Sequence, residues 1–346
     1  MKRAINSRNT RLGSLFLMVS LTFLFVFTAC ENEDTVSPEQ NGQQEMYDIE
    51  TTLEMITENP DFFDSDSDGE LKRRWRTYPT FRNLTYALFK TRLFTTVVSN
   101  ELTVFAPTDE AFKKLFDEIG VKSIREVPTD QLKTILLYHV VQGKVKSTML
   151  SNGFVPTLNG AAVEVDLSDG VMINDATVQY ADIRALNGII HIIDEVLLPP
   201  TQNIVEIAQG NEAFSILVDA VIKADLAETL ATGGPFTVFA PTNDAFVALL
   251  QELGPEFNSL DDIPVELLTQ VLLYHVIEGR VYSSDLPAGP ASVPTLQGDS
   301  FTIDVTGPTI TDANSREAGL IASLLNIQGT NGVIHVIDRV ILPPLE

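Results

Sequence analysis

The sequence predicts an α+β chain built from two consecutive copies of one domain. Four blocks recur once each in the same order: TVFAPTDEAF at Thr103 with TVFAPTNDAF at Thr237, LLYHV at Leu136 and Leu272, VPTLNG at Val155 with VPTLQG at Val293, and NGIIHIID at Asn187 with NGVIHVID at Asn331. Their offsets are 134, 136, 138 and 144, so only small insertions intervene and the period is far too long for a solenoid. Within each copy, stretches of helical apolar period are mixed with short β-prone runs, two or three helices and several strands per copy. At 346 residues the chain is long enough for two such units, each with its own core.

The elements follow in order. Thr103 to Ala106 is a β-prone run stopped by Pro107, and Thr108 caps a helix that carries Asp109 and Glu110 in its first turn, against the dipole. Phe112, Leu115, Phe116 and Ile119 give that helix one apolar face, and Gly120 ends it; Phe246, Leu249, Leu250, Leu253 and Gly254 repeat the pattern. Core packing explains these positions. Pro128 and Pro264 stand near the start of a second helix, with Leu132, Ile135 and Leu136 in one copy and Leu267, Leu268, Val271 and Leu272 in the other. LLYHV then falls where helix gives way to strand, with Gly143 or Gly279 as the turn. AVEVDL and FTIDV alternate as half-buried strands. Asn187-Gly188 and Asn331-Gly332 read as tight turns before two apolar strands with one histidine each.

TVFAPTxxAF, YHV and NGxIHxID followed by LPP together resemble the fasciclin domain, twice, over nearly everything from Met46 to Pro344. The resemblance implies a β-sandwich-like wedge with several helices in each copy. It also implies a secreted or surface-anchored protein that serves adhesion and matrix or cell-surface contact, with no common catalytic activity. Receptor engagement reported around the Tyr-His region of animal fasciclin domains carries over to Tyr138, His139, Tyr274 and His275 as binding candidates.

Lys2, Arg3, Arg8 and Arg11 precede an uncharged stretch over 12–29, the pattern of a secretory signal. The small residues Thr28 and Ala29 before Cys30 make FTAC resemble a bacterial lipobox, although Phe27 stands where leucine is usual. The expectation is a signal peptide over 1–29, lipidation of Cys30, and a tether over 30–45, whose acidic and polar composition offers too little apolar surface to offset ordering. Acidic residues directly after the cysteine resemble the export signal of surface lipoproteins in Bacteroidetes-type bacteria, which would place the chain on the outer membrane, facing out. The domains are expected over 46–200 and 201–346. A formal charge of -24 disfavours nucleic acid and anionic lipid surfaces as partners, and one cysteine excludes an intrachain disulfide or a Cys-rich zinc site.

The four histidines occupy two positions of the repeat. Within a copy they lie 52 residues apart (His139, His191) or 60 (His275, His335), so no HExxH or local ligand cluster exists, and no GxSxG occurs. His191, His335, Asp194 and Asp338 are therefore read as structural, with no metal and no cofactor expected. The copies differ most at their entrances. Ile207 to Phe214 is 7 residues but Ile56 to Phe81 is 25, an insertion near 59–80. Its acidic half, DSDSDG from Asp64, opens like a calcium loop, yet Trp75 stands where the closing carboxylate is needed. Its basic half, Lys72, Arg73, Arg74, Trp75 and Arg76, is the one dense positive cluster after the signal and holds the sole tryptophan, a composition suited to an interface. The functional expectation is a lipid-anchored, non-catalytic surface protein that binds a protein or glycan of the cell surface or matrix. A periplasm-facing lipoprotein that binds cell-wall polymer or another envelope protein is the alternative, and a hydrolase a remote one.

Overall fold

The computed structural model describes residues 47–58 and 79–344. Helices α1 (Ile49–Glu58), α2 (Arg82–Thr91) and α3 (Phe94–Ser99) lead into strand β1 (Leu102–Pro107). Helix α4 (Asp109–Ile119) follows with the expected cap, Thr108 accepting the Ala111 N–H, and Gly120 takes the left-handed conformation at φ 72°. Helix α5 (Thr129–Tyr138) starts directly after Pro128 and hands over through His139 to β2 (Val140–Gln142), as LLYHV predicts. Gly143 then turns the chain at φ 87°.

The remaining strands of this half are β3 (Gly153–Pro156), β4 (Ala162–Asp166), β5 (Met172–Ile173), β6 (Ala176–Ala185) and β7 (Gly188–Ile193). They form one seven-stranded sheet in the order β2-β1-β7-β6-β5-β4-β3. The central pair, β1 with β7, is parallel, in register from Leu102 opposite Gly188 to Pro107 opposite Ile193. Every residue of both strands is buried, and their runs, apolar but for Thr103 and His191, suit a position covered on both faces. Two register shifts bend β6, at Val178/Tyr180 and Tyr180/Ile183. The bend brings β3, β4 and β5 over β1 and β7, enclosing Phe105, Tyr138, Val163, Val165, Ile173 and Ile193. On the opposite face the helices pack Leu53, Phe81, Leu84, Phe112, Leu132 and Leu136 against Val104, Ile190 and Ile192.

The second half repeats this plan. Helices α6 (Ile204–Gln209), α7 (Ser215–Lys223) and α8 (Ala227–Thr232) precede β8 (Phe236–Pro241), α9 (Asn243–Leu253), α10 (Val265–Tyr274) and β9 (Val276–Glu278). Strands β10 (Ala291–Pro294), β11 (Ser300–Asp304), β12 (Thr309–Thr311) and β13 (Glu317–Gly319) make one sheet, and β14 (Ile327–Gly329) and β15 (Gly332–Ile337) join β8 and β9 in another. Again the central pair, β8 with β15, is parallel. The long β6 has become two strands, β13 and β14, separated by a single-turn helix over Ala322–Leu324; most of the jump in offset from 138 to 144 falls earlier, in the longer turn between β12 and β13, since Thr177 and Gly319 already hold equivalent places against Asp194 and Asp338.

Two expectations change in detail. Ile119, Leu253 and Leu267 are 43%, 39% and 42% exposed, so the last turn of the first helix face and the first turn of the second overhang the core. The Asn-Gly pairs do make tight reversals, with Ala185 opposite Gly188 and Gly329 opposite Gly332, but the glycines have ordinary φ. They are needed for close approach. A Cβ at Gly188 would collide with the Leu102 carbonyl and come 2.6 Å from Ile49 Cδ1, and one at Gly332 with the Phe236 carbonyl and 2.9 Å from Ile204 Cγ2.

Candidate functional site

Each Tyr-His pair lies at the C-terminus of its helix, turned inward. His139 is 1% exposed; its Nδ1–H donates to the Ile135 carbonyl at 2.8 Å and its Nε2 accepts the Leu197 N–H at 2.9 Å. His275 does the same with the Val271 carbonyl (2.7 Å) and the Ile341 N–H (3.1 Å). A ring that donates on one side and accepts on the other is satisfied only when neutral. Desolvation lowers both imidazoles to a pKa of about 4. These rings tie the end of the second helix to the LPP segment at the end of each copy.

His191 and His335 carry the opposite tautomer. Each Nε2–H donates to a carbonyl, Val145 (3.0 Å) or Val281 (2.9 Å), and each Nδ1 accepts a backbone N–H, from Asp182 or Asn326, both at 3.3 Å. Phe105 and Phe239 stack on the rings at 5.7 and 5.4 Å. Burial lowers both pKa values. Asp194 accepts the Thr177 N–H (2.8 Å) and the Gln179 amide (2.9 Å), while Asp338 accepts the Gly319 N–H (2.6 Å), so each holds the strand beside its own.

Burial corrects the surface reading of the Tyr-His pairs. Tyr138, His139, Tyr274 and His275 are at most 2% exposed, so none of the four side chains presents a contact surface. The reason is geometric, since residues at the helix C-terminus point between the two sheets. Tyr138 instead reaches the junction of the two halves. Its hydroxyl donates to the Ala162 carbonyl at 2.8 Å, and from the second half Gln328 grips the backbone of the same residue, accepting the Ala162 N–H at 3.0 Å and donating to its carbonyl at 2.9 Å. Tyr282 accepts that N–H at 3.2 Å, donates to Gln328 at 2.8 Å and stacks on Phe154 at 4.5 Å and 8°.

A second repeated device escapes the block comparison. Asp182 and Asn326, at φ 64° and 58°, sit 144 residues apart and accept the backbone N–H of Ser147 (2.7 Å) and Ser283 (2.8 Å), while their own N–H groups reach the histidines already described. Aspartate and asparagine do not align as identical letters, so only the constant spacing to the histidine, 9 residues in both copies, signals the pair.

Cys30 and Lys72, Arg73, Arg74, Trp75 and Arg76 lie outside the described residues, as does the acidic loop from Asp64. The base of the insertion is described. The Phe81 N–H donates to Thr57 Oγ1 at 3.1 Å, so the flanks of the insertion meet. Thr80 donates to Asp109 at 2.6 Å, and Asp109 also accepts the Asn83 N–H at 2.8 Å; in the second half Asn243 takes that role for Ile216 at 3.0 Å. Phe81 and Phe214 are both buried at equivalent helix starts. Among the described residues no three His, Cys, Asp or Glu side chains cluster as a metal site, and no helix is long and apolar enough to cross a membrane.

The family model described as the fasciclin domain matches residues 79–199 and 212–343. Protein sll1483 of Synechocystis sp. is 40% identical over 154 residues, covering 44% of this chain and 81% of that protein. Transforming growth factor-beta-induced protein ig-h3 of Sus scrofa is 30% identical over 248 residues, covering 71% and 34%. The cell surface glycolipoprotein MPB83 of Mycobacterium bovis is 35% identical over 113 residues, covering 32% and 49%. The chain spans about a third of the length of ig-h3 and about half that of MPB83.

Proposed function

For this chain, which belongs to the fasciclin family and carries two copies of its domain, we propose a lipid-anchored, non-catalytic interaction protein of the cell envelope that binds a surface protein or glycan. Anchoring rests on the basic segment, the uncharged run and Cys30, and the similarity to MPB83, a cell surface glycolipoprotein, supports it. Binding is assigned to the insertion of the first domain. The observation that carries this assignment is the hydrogen bond between Phe81 and Thr57. The flanks of the insertion are joined on the core, so the domain closes as the second copy does, and the Lys72 to Arg76 cluster supplies positive charge on a protein of formal charge -24.

The test uses intact cells and purified protein. Cys30→Ala should abolish incorporation of labelled fatty acid and release the chain from the membrane fraction, and protease applied to intact cells should digest the wild type. Deleting residues 59–78 should leave the thermal transition within a few degrees of the parent and lower binding to envelope or host-surface material at least tenfold at low salt. Retained lipid labelling in Cys30→Ala would refute the anchor, and an unchanged binding isotherm in the deletion would refute the role of the insertion.

A further inference from the structure

The second domain has an open apolar groove on its surface. A groove of about 520 Å³ runs between α9, α10 and the C-terminal LPP segment, floored by Phe246, Leu249, Leu268 and Val271 and opened to solvent by Leu253 and Leu267. Its third wall is fixed. The Asn314 side chain donates to the Leu342 and Pro343 carbonyls at 3.2 and 2.8 Å, and the buried Asp312 accepts the Leu342 N–H at 3.0 Å. The groove therefore exists before any partner arrives, and filling it costs no rearrangement of its wall.

Charge decides what fits it. From Asn243 through Tyr274, the two helices and their connection carry six carboxylates and no lysine or arginine. Glu252 is paired with Arg316 and Arg339, and Asp261 with Lys223, but Glu256 and Glu266, close in sequence to Leu253 and Leu267, form no ion pair among the described residues. The corresponding stretch of the first domain, from Asp109 through Tyr138, has the same six carboxylates offset by five basic residues. It also replaces Leu267 by Gln131, and Glu256 falls in the two residues by which the second copy is longer here, Lys122 corresponding to Asn258 through the shared bond to Glu126 or Asp262. The fold thus closes with a neutral, more polar surface here, and the second domain departs from it in both respects at once.

We propose that this groove docks a segment of a partner protein that presents two or three large apolar side chains flanked by lysine or arginine. The apolar side chains take the floor between Leu253 and Leu267, and the bases meet the carboxylates of the two helices and their connection, Glu256 and Glu266 among them, where exposed charges govern specificity and approach more than depth of binding. This site is independent of the insertion in the first domain, so deletion of residues 59–78 leaves it intact.

The full chain is titrated with a fluorescent amphipathic model peptide of leucine and lysine at helical spacing, and with the same pattern in leucine and glutamate. The lysine peptide should bind at least tenfold more tightly than the glutamate peptide, and its affinity should fall as salt is raised. Leu267→Gln, which installs the first domain's residue at an exposed position, should weaken the lysine peptide at least tenfold. Glu256→Lys with Glu266→Lys should weaken it at least as much and abolish the preference between peptides. Equal binding of both peptides, no binding, or loss in the charge-reversed variant without loss in Leu267→Gln would each overturn the proposal; the last would leave a charged surface without a groove site.

Discussion

Histidine is the residue through which pH enters this structure. His139 and His275 are held neutral by one donated and one accepted backbone hydrogen bond, with pKa values lowered by burial to about 4. The unfolded chain binds protons from about pH 6.5 downward and the folded chain only near pH 4, so this contribution is complete above pH 6.5. It is lost as pH falls from 6.5 to 4, and nothing further is lost below that. At pH 4.5 each ring costs its domain roughly 2 to 3 kcal/mol. Replacing His139 by Phe should lower stability at pH 7, because the Ile135 carbonyl and Leu197 N–H lose their partner. It should also reduce the pH 7 to pH 4.5 difference by roughly 2 to 3 kcal/mol. Urea melts of parent and variant at the two pH values check it, the difference of differences cancelling the carboxylates. The block pattern marks these histidines as structural candidates, yet their opposite tautomers depend on which carbonyl each ring meets, and that is set by packing.

At the level of elements, the helix layers of the two domains are the same design filled to different degrees. Asn187 accepts the Ile49 N–H and Asn331 the Ile204 N–H, both at 3.0 Å, which fixes α1 against α6 and places Leu53 where the second domain has Ala208. Counting from the equivalent Phe81 and Phe214, Leu88 corresponds to Val221. The smaller side chains leave an apolar cavity of about 50 Å³ between α6, α7, α8 and the sheet, lined by both Ala208 and Val221. Val221→Leu should fill part of it and stabilise the second domain by roughly 1 kcal/mol, given about 24 cal/mol per Å³ of cavity. A calorimetric midpoint that falls instead would mean that the added methylene is overpacked. The helix faces and caps are legible in the sequence because apolar period and Thr caps act locally. The break of β6 into β13 and β14 is not, since an offset that grows by six residues says that the copies differ in length and not which pairing is lost.

Among the described residues the two halves are joined at the backbone of Ala162 and through a small apolar cluster of Ala162, Phe154, Tyr282 and Val333. Gln328 pairs with both polar groups of Ala162, Tyr282 stacks on Phe154, and Gly153 packs so close to Ser284 that a Cβ there would come within 2.8 Å of the serine Cβ. Tyr282 is 3% exposed, so its removal costs packing as well as hydrogen bonds. Tyr282→Ala with Gln328→Ala should remove about 3 kcal/mol of coupling, turning one thermal transition into two and raising the radius of gyration in small-angle scattering. A single transition at the parent midpoint would show that the junction contributes little. In the first copy the residues at these positions are Lys146 and Arg184, so no comparison of the copies marks Tyr282 or Gln328 as paired.

By itself the sequence determined the duplication, the family, the helices with their caps and ends, and the apolar strands that form each parallel centre. Those properties follow from repeated letters and from periods of 2 and 3.6 residues, which act over a few turns or strands. Only the tertiary structure decided that the Tyr-His pairs face inward, that Gly188 and Gly332 serve close approach rather than a turn, that the flanks of the insertion meet at Thr57 and Phe81, and that Gln328 closes on Ala162. Each of these joins residues far apart in the chain, 24 positions for the first hydrogen bond and 166 for the second. Such contacts are chosen by shape and by the need to satisfy buried polar groups, and neither is written in local order.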